Sequence, residues 1–121
     1  MLTDEIKTYN KKQLEELAEK LRGQLVQSVK ENGGHLSSNL GTVELILALH
    51  KVFSFPQDKL IFDVGHQAYV HKLLTGRSLE NLRARGGVSG FPDPFESEYD
   101  PFIAGHSGNS VAAGIGLCNA R

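Results

Sequence analysis

The chain has 121 residues and a formal net charge of -1, with 40% apolar and 22% charged residues, the proportions of an ordinary soluble globular protein. So small a charge exerts no long-range pull toward nucleic acid or an anionic membrane, and no apolar run approaches the ~20 residues of a membrane span. The single cysteine, Cys118, excludes an intrachain disulfide. Its setting among Ala, Gly and Leu suits a small buried hydrophobe in a reducing cytoplasm. The opening Met1-Leu2-Thr3-Asp4-Glu5 lacks the basic start and apolar core of a signal peptide, so the expectation is a soluble, cytoplasmic protein forming one unit over residues 1–121.

Leu14, Leu17, Ala18, Leu21, Leu25, Val26 and Val29 recur at three- and four-residue steps, which predicts an amphipathic helix from about Lys12 to Lys30. Asn32-Gly33-Gly34 should end it with a left-handed cap, followed by a small polar loop over His35–Gly41. The almost wholly apolar run from Val43 through Leu49, continuing to Val52 and Phe53, predicts a helix buried on every side. Pro56 stops that pattern. Lys59–Val64 reads as a short buried strand with Gly65-His66 at its carboxyl end. Short helices are expected over Gln67–Leu74 and Leu79–Arg85, then a long irregular segment over Gly86–Gly105, then a helix of small residues over Ser110–Ala120. The fold class is therefore α/β, mostly helical with one clear strand. A lone strand cannot satisfy its own backbone groups, so the chain reads as an incomplete part of a larger α/β domain.

Three Gly-His steps, Gly34-His35, Gly65-His66 and Gly105-His106, put imidazoles on backbone that can approach a ligand closely. Gly105-His106-Ser107-Gly108-Asn109-Ser110 runs straight into the last helix and could aim several N–H groups and the helix dipole at a phosphate. The same residues also serve as ordinary turn and N-cap residues. The sequence lacks the lysine of a nucleotide P-loop. His66, at a strand end, stands where open α/β sheets place ligands, or is a partly buried histidine bonded to backbone. His35 is either a site residue or a solvated loop histidine. His50 reads as a core or interface residue, and neither it nor His71 forms a metal-ligand pair at helical spacing, so no metal site is expected. Arg77, Arg83 and Arg85 read as a solvated helix face, and Asp93, Glu96, Glu98 and Asp100 as solubilising charges.

Taken as a set, Gly33-Gly34-His35-Leu36-Ser37-Ser38-Asn39-Leu40-Gly41-Thr42-Val43-Glu44-Leu45, then Asp63-Val64-Gly65-His66-Gln67-Ala68-Tyr69-Val70-His71-Lys72, then Gly90-Phe91-Pro92 with Glu96-Ser97-Glu98-Tyr99-Asp100, closely resemble the 1-deoxy-D-xylulose-5-phosphate synthase family. The resemblance runs from the first long helix to Arg121. It implies the amino-terminal part of a transketolase-like, thiamine diphosphate-binding domain. It also implies a decarboxylating condensation of pyruvate with glyceraldehyde 3-phosphate, in a homodimeric enzyme that serves isoprenoid, thiamine and pyridoxal synthesis. By the same resemblance His35 faces the reacting carbon, His66 contacts the cofactor near its diphosphate, and Gly105, His106 and Ser107 line the cofactor. The Mg2+ ligands, a Gly-Asp-Gly motif and a later Asn, are expected beyond Arg121, as are the glutamate that activates the aminopyrimidine and the arginines that hold the substrate phosphate. Gly108-Asn109 departs from the family's common Ser-Thr pair, which leaves the loop small and polar. Three readings of the chain stay open: an excised segment inactive alone, a truncated non-catalytic paralogue that binds a complete synthase, or one piece of a split enzyme.

Overall fold

The computed structural model describes residues 1–120, and among them the regular structure is entirely helical. Helix α1 spans Leu2–Glu5 and runs into a 3-10 turn over Ile6–Thr8; α2 spans Lys11–Asn32, α3 Leu36–Leu40, α4 Val43–Val52, α5 Tyr69–Leu74 and α6 Asn109–Asn119. Helix α2 begins at a capping box in which the Gln13 N–H donates to Asn10 Oδ1 at 2.9 Å and the Asn10 N–H donates to Gln13 Oε1 at 2.8 Å. Its apolar stripe of Leu17, Ala18, Leu21 and Leu25 is buried. It packs with Ile6, Val43, Ile46, Leu47, Phe62, Tyr69, Val70, Leu74, Leu79 and Leu82 into one core. Each leucine fully withdrawn from water there contributes about 1.5–3 kcal/mol.

Several expectations need correction. Lys59–Val64 is not a strand: no partner edge runs beside it among the described residues, and a ladder cannot exist without one. Leu79–Arg85 is a chain of turns rather than a helix. Arg83 sits at φ 66 with its N–H donating to Val88 O at 2.8 Å, which folds the segment back on itself. Helix α2 does stop at Gly33, but with φ 77 and ψ 178, an extended exit in place of the left-handed cap. The expected loop after it contains a helical turn, α3. Helix α4 buries only Val43, Ile46, Leu47 and His50, while Leu45 and Val52 face outward at 58% and 73% exposure.

The irregular segment 86–105 is held by buried and partly buried charges, among them Arg77, Glu96 and Asp100, which the sequence pattern alone places at the solvated surface. Lys72 is fully buried and donates to Ser89 O at 2.7 Å, Phe91 O at 2.8 Å and Glu96 Oε1 at 2.7 Å. Arg77 grips Asp100 with both terminal nitrogens, at 2.6 and 2.9 Å, and reaches Glu96 Oε1 at 2.9 Å. The two carboxylates in turn accept the Ser89 N–H at 2.9 Å and the Asp93 N–H at 3.0 Å. Burying Lys72 and Arg77 is tolerable because each finds opposite charge and further acceptors. Residues 89–100 are thereby wrapped around two cations on one short helix and the turn that follows it.

Candidate functional site

The first and second Gly-His steps meet. The His35 and His66 rings lie 5.1 Å apart between centroids in an edge-to-face arrangement. Asn39, fully buried, produces this approach. Its Nδ2 donates to the carbonyls of both His35 (2.7 Å) and His66 (2.8 Å), and its Oδ1 accepts the Tyr69 N–H at 3.0 Å. These partners fix the amide's orientation, because Nδ2 faces two acceptors and Oδ1 a donor. The Tyr69 hydroxyl accepts the His35 N–H at 3.3 Å and passes so close to Gly34 (φ +128) that a Cβ there would meet it at 2.7 Å. The glycine before His35 is thus required by Tyr69. His35 is exposed, and His66 is half-buried with its Nδ1 enclosed and without a hydrogen-bond partner.

His66 is set by a tight reversal. The Gly65 N–H donates to Asp63 O at 2.7 Å, closing a three-residue γ-type turn around Val64 at φ 63, a costly conformation for a β-branched residue. Gly65 follows at φ +95, and a Cβ on it would meet Pro92 Cδ at 2.5 Å and Ala104 Cβ at 3.0 Å. The charged arm therefore closes over this turn before leading into Gly105. The third Gly-His step is tied to the same place: Asp63 Oδ1 accepts the Gly108 N–H (2.9 Å), the Ser110 N–H (3.4 Å) and the Ser110 hydroxyl (2.9 Å) at the start of α6. The Ser110 hydroxyl, followed by the backbone N–H groups, holds the Asp63 carboxyl below its ordinary range. Gly105, His106 and Ser107 are exposed, and His106 Nδ1 donates to Ser107 O at 3.0 Å.

The remaining histidines form a separate buried chain. The Thr3 hydroxyl meets His50 Nδ1 at 2.6 Å, His50 Nε2 meets His71 Nδ1 at 2.9 Å, and His71 Nε2 meets Asp100 Oδ1 at 3.2 Å and Tyr99 O at 3.0 Å. His50 is thus a satisfied core residue, as expected. Burial first, then the neighbouring His71 and Lys7, push its pKa down to about 3. Asp100 is held well below the usual carboxylate range, its burial outweighed by His71, Arg77 and the Asp93 N–H. Arg77, Glu96 and Asp100 are therefore internal ion-pair partners, which corrects their assignment to a solvated surface. Cys118 is exposed on α6, not buried, because no residue of that helix is buried. Asn39 and Asp63 escaped the sequence reading as site residues. Their nearest signal is an amide and a carboxylate within three or four residues of the two candidate histidines.

The site is an open face in which buried polar partners hold two histidines together, with a glycine-rich helix start pinned beside them. Residues 2–121 match the family model described as 1-deoxy-D-xylulose-5-phosphate synthase, and the chain belongs to that family. It is 53% identical over 97% of its length to the 1-deoxy-D-xylulose-5-phosphate synthase of Bordetella petrii. It is 54% identical over 96% to that of Dechloromonas aromatica and 55% identical over 97% to that of Syntrophomonas wolfei. The match covers 19% of each of these relatives.

Proposed function

We propose that this chain is one wall of the thiamine diphosphate site of a 1-deoxy-D-xylulose-5-phosphate synthase, which condenses pyruvate with glyceraldehyde 3-phosphate and releases carbon dioxide. The observation that carries this reading is the His35–His66 pair, held at 5.1 Å beside an enclosed, unpartnered His66 Nδ1. An orphaned buried ring nitrogen is costly unless a partner meets it, and a polar cofactor would supply one. Gly105 supports the same reading, since an added Cβ there would meet nothing and its backbone is open to a ligand, whereas the Gly108 N–H is already taken by Asp63 Oδ1. Thiamine diphosphate, when bound, supplies the nucleophile and the electron sink for decarboxylation. His35, on the exposed rim, holds or moves a proton at the reacting substrate oxygen, while His66 and the backbone of Gly105, His106 and Ser107 hold and orient the cofactor.

Among the described residues no group of three or more His, Cys, Asp or Glu side chains could hold a metal ion. The resemblance, and not that absence, assigns the Mg2+ ligands and the completion of a homodimer to the part of the relatives' length that this chain does not span. In a complete synthase carrying this sequence, His35→Ala should lower turnover by roughly 10²–10⁴ with cofactor affinity nearly unchanged. His66→Ala should weaken cofactor retention as well as rate. Steady-state kinetics with calorimetric titration of thiamine diphosphate separate the two. Parental turnover from the His35 variant would remove His35 from the mechanism.

A further inference from the structure

We infer that Asp63 is a positioning residue that locks the Gly105–Ser107 loop to the turn carrying His66. Helix α6 buries none of its residues, so packing does little to fix where its first turn lies. Its amino-terminal end is instead tied to the body by a single oxygen: the Gly108 N–H, the Ser110 N–H and the Ser110 hydroxyl all converge on Asp63 Oδ1. Asp63 in turn cannot drift. Its own carbonyl closes the turn around Val64, and two residues later Gly65 is clamped by Pro92 and Ala104. Movement of the cap therefore moves the loop and the His66 turn together. The two segments of the proposed cofactor site, 39 residues apart in sequence from His66 to Gly105, share one joint.

The three bonds make a sharp distinction possible. Asparagine retains an acceptor oxygen in the Oδ1 position and loses the charge, whereas alanine loses the acceptor altogether. A role in geometry predicts that Asp63→Asn behaves as the parent and Asp63→Ala does not. A role in charge predicts that both variants differ from it.

This inference rests on the thiamine diphosphate reading for its consequence, but not for its geometry, and the test uses both. In the complete synthase carrying this sequence, deuterium exchange at early times should rise over residues 106–112 in Asp63→Ala and stay parental in Asp63→Asn. Calorimetric titration should show thiamine diphosphate bound about tenfold more weakly by Asp63→Ala. The loss should fall on cofactor affinity more than on kcat at saturating cofactor, and Asp63→Asn should restore it. Unchanged exchange in Asp63→Ala, or equal loosening in both variants, overturns the inference. If the parent fails to bind thiamine diphosphate, the functional reading falls while the exchange comparison still decides the role of Asp63.

Discussion

A single buried amide sets the distance between the two histidines on which the functional reading depends. Asn39 uses Nδ2 twice and Oδ1 once, so its removal leaves the His66 carbonyl and the Tyr69 N–H without their partner, while the His35 carbonyl keeps only the first backbone bond of α3. Each buried group left unsatisfied costs about 1–3 kcal/mol. Asn39→Ala should therefore lower the urea midpoint clearly. Asn39→Asp should lower it further at neutral pH, because a carboxylate oxygen would then face two carbonyl oxygens. Chemical denaturation of the parent and both variants checks the order, and an Asp variant as stable as the parent would show that the amide donors do not hold the pair. The histidines themselves were legible from their glycines, since Gly34 and Gly65 each stand where a neighbour passes too close for a Cβ. Asn39 was not, because an asparagine after two serines reads as turn chemistry, and its partners His66 and Tyr69 lie 27 and 30 residues away.

At the scale of elements, helix α5 and the turn after it organise the arm that leads to the site. The partners of Lys72 and Arg77 lie 19 to 24 residues further along, at Glu96 and Asp100. No helical or strand period links positions so far apart, which is why Arg77, Glu96 and Asp100 read as solvated charges in the sequence. The apolar run at 60–62 failed differently: it marks burial, but only a neighbouring edge makes a strand of it, and none is present among the described residues. The boundaries of α2 fared better because its apolar period is local, and α6 begins within one residue of where the run of small residues places it. The arm's anchor also has a pH signature. His50 is held neutral down to about 3 against an ordinary 6.5, so below pH 6.5 the unfolded chain binds a proton that the folded chain refuses. Stability from this group is fully present above about pH 6.5 and falls by up to about 1.4 kcal/mol per pH unit as pH drops toward 3. Asp100, whose carboxyl is depressed, adds a loss of the same sign as pH falls through the ordinary carboxylate range. Thr3, Lys7 and His71 face His50, and His71 and Arg77 face Asp100. Urea titrations between pH 4 and 8 should show a plateau above pH 6.5 and a decline below it, and His50→Gln should flatten the upper part of that decline. A parent whose stability is level from pH 8 to 5 would contradict this account.

The molecule as a whole divides into a body with a continuous core and an apolar helix laid against it without burial. In α6, Val111 is 70% and Ile115 58% exposed, and Ile103, just before the site loop, is 57% exposed. Val111 and Ile115 are four residues apart and so share one face of the helix. Exposed apolar surface of this kind associates with whatever apolar surface it meets. The 121-residue chain studied alone should therefore self-associate as concentration rises from about one to several hundred micromolar. Val111→Lys combined with Ile115→Lys should abolish that association. Because both side chains face solvent, the double variant should leave the thermal midpoint within about 0.5 kcal/mol equivalent of the parent, the range of ordinary surface substitutions. The cap at Asp63 should be intact in it, since neither residue takes part in those bonds. Sedimentation velocity across that concentration range is the measurement. A parent chain that stays monomeric throughout would mean that the face of α6 is not adhesive by itself. A double variant that associates as strongly as the parent would move the contact to the outward face of α4, where Leu45 and Val52 are likewise exposed.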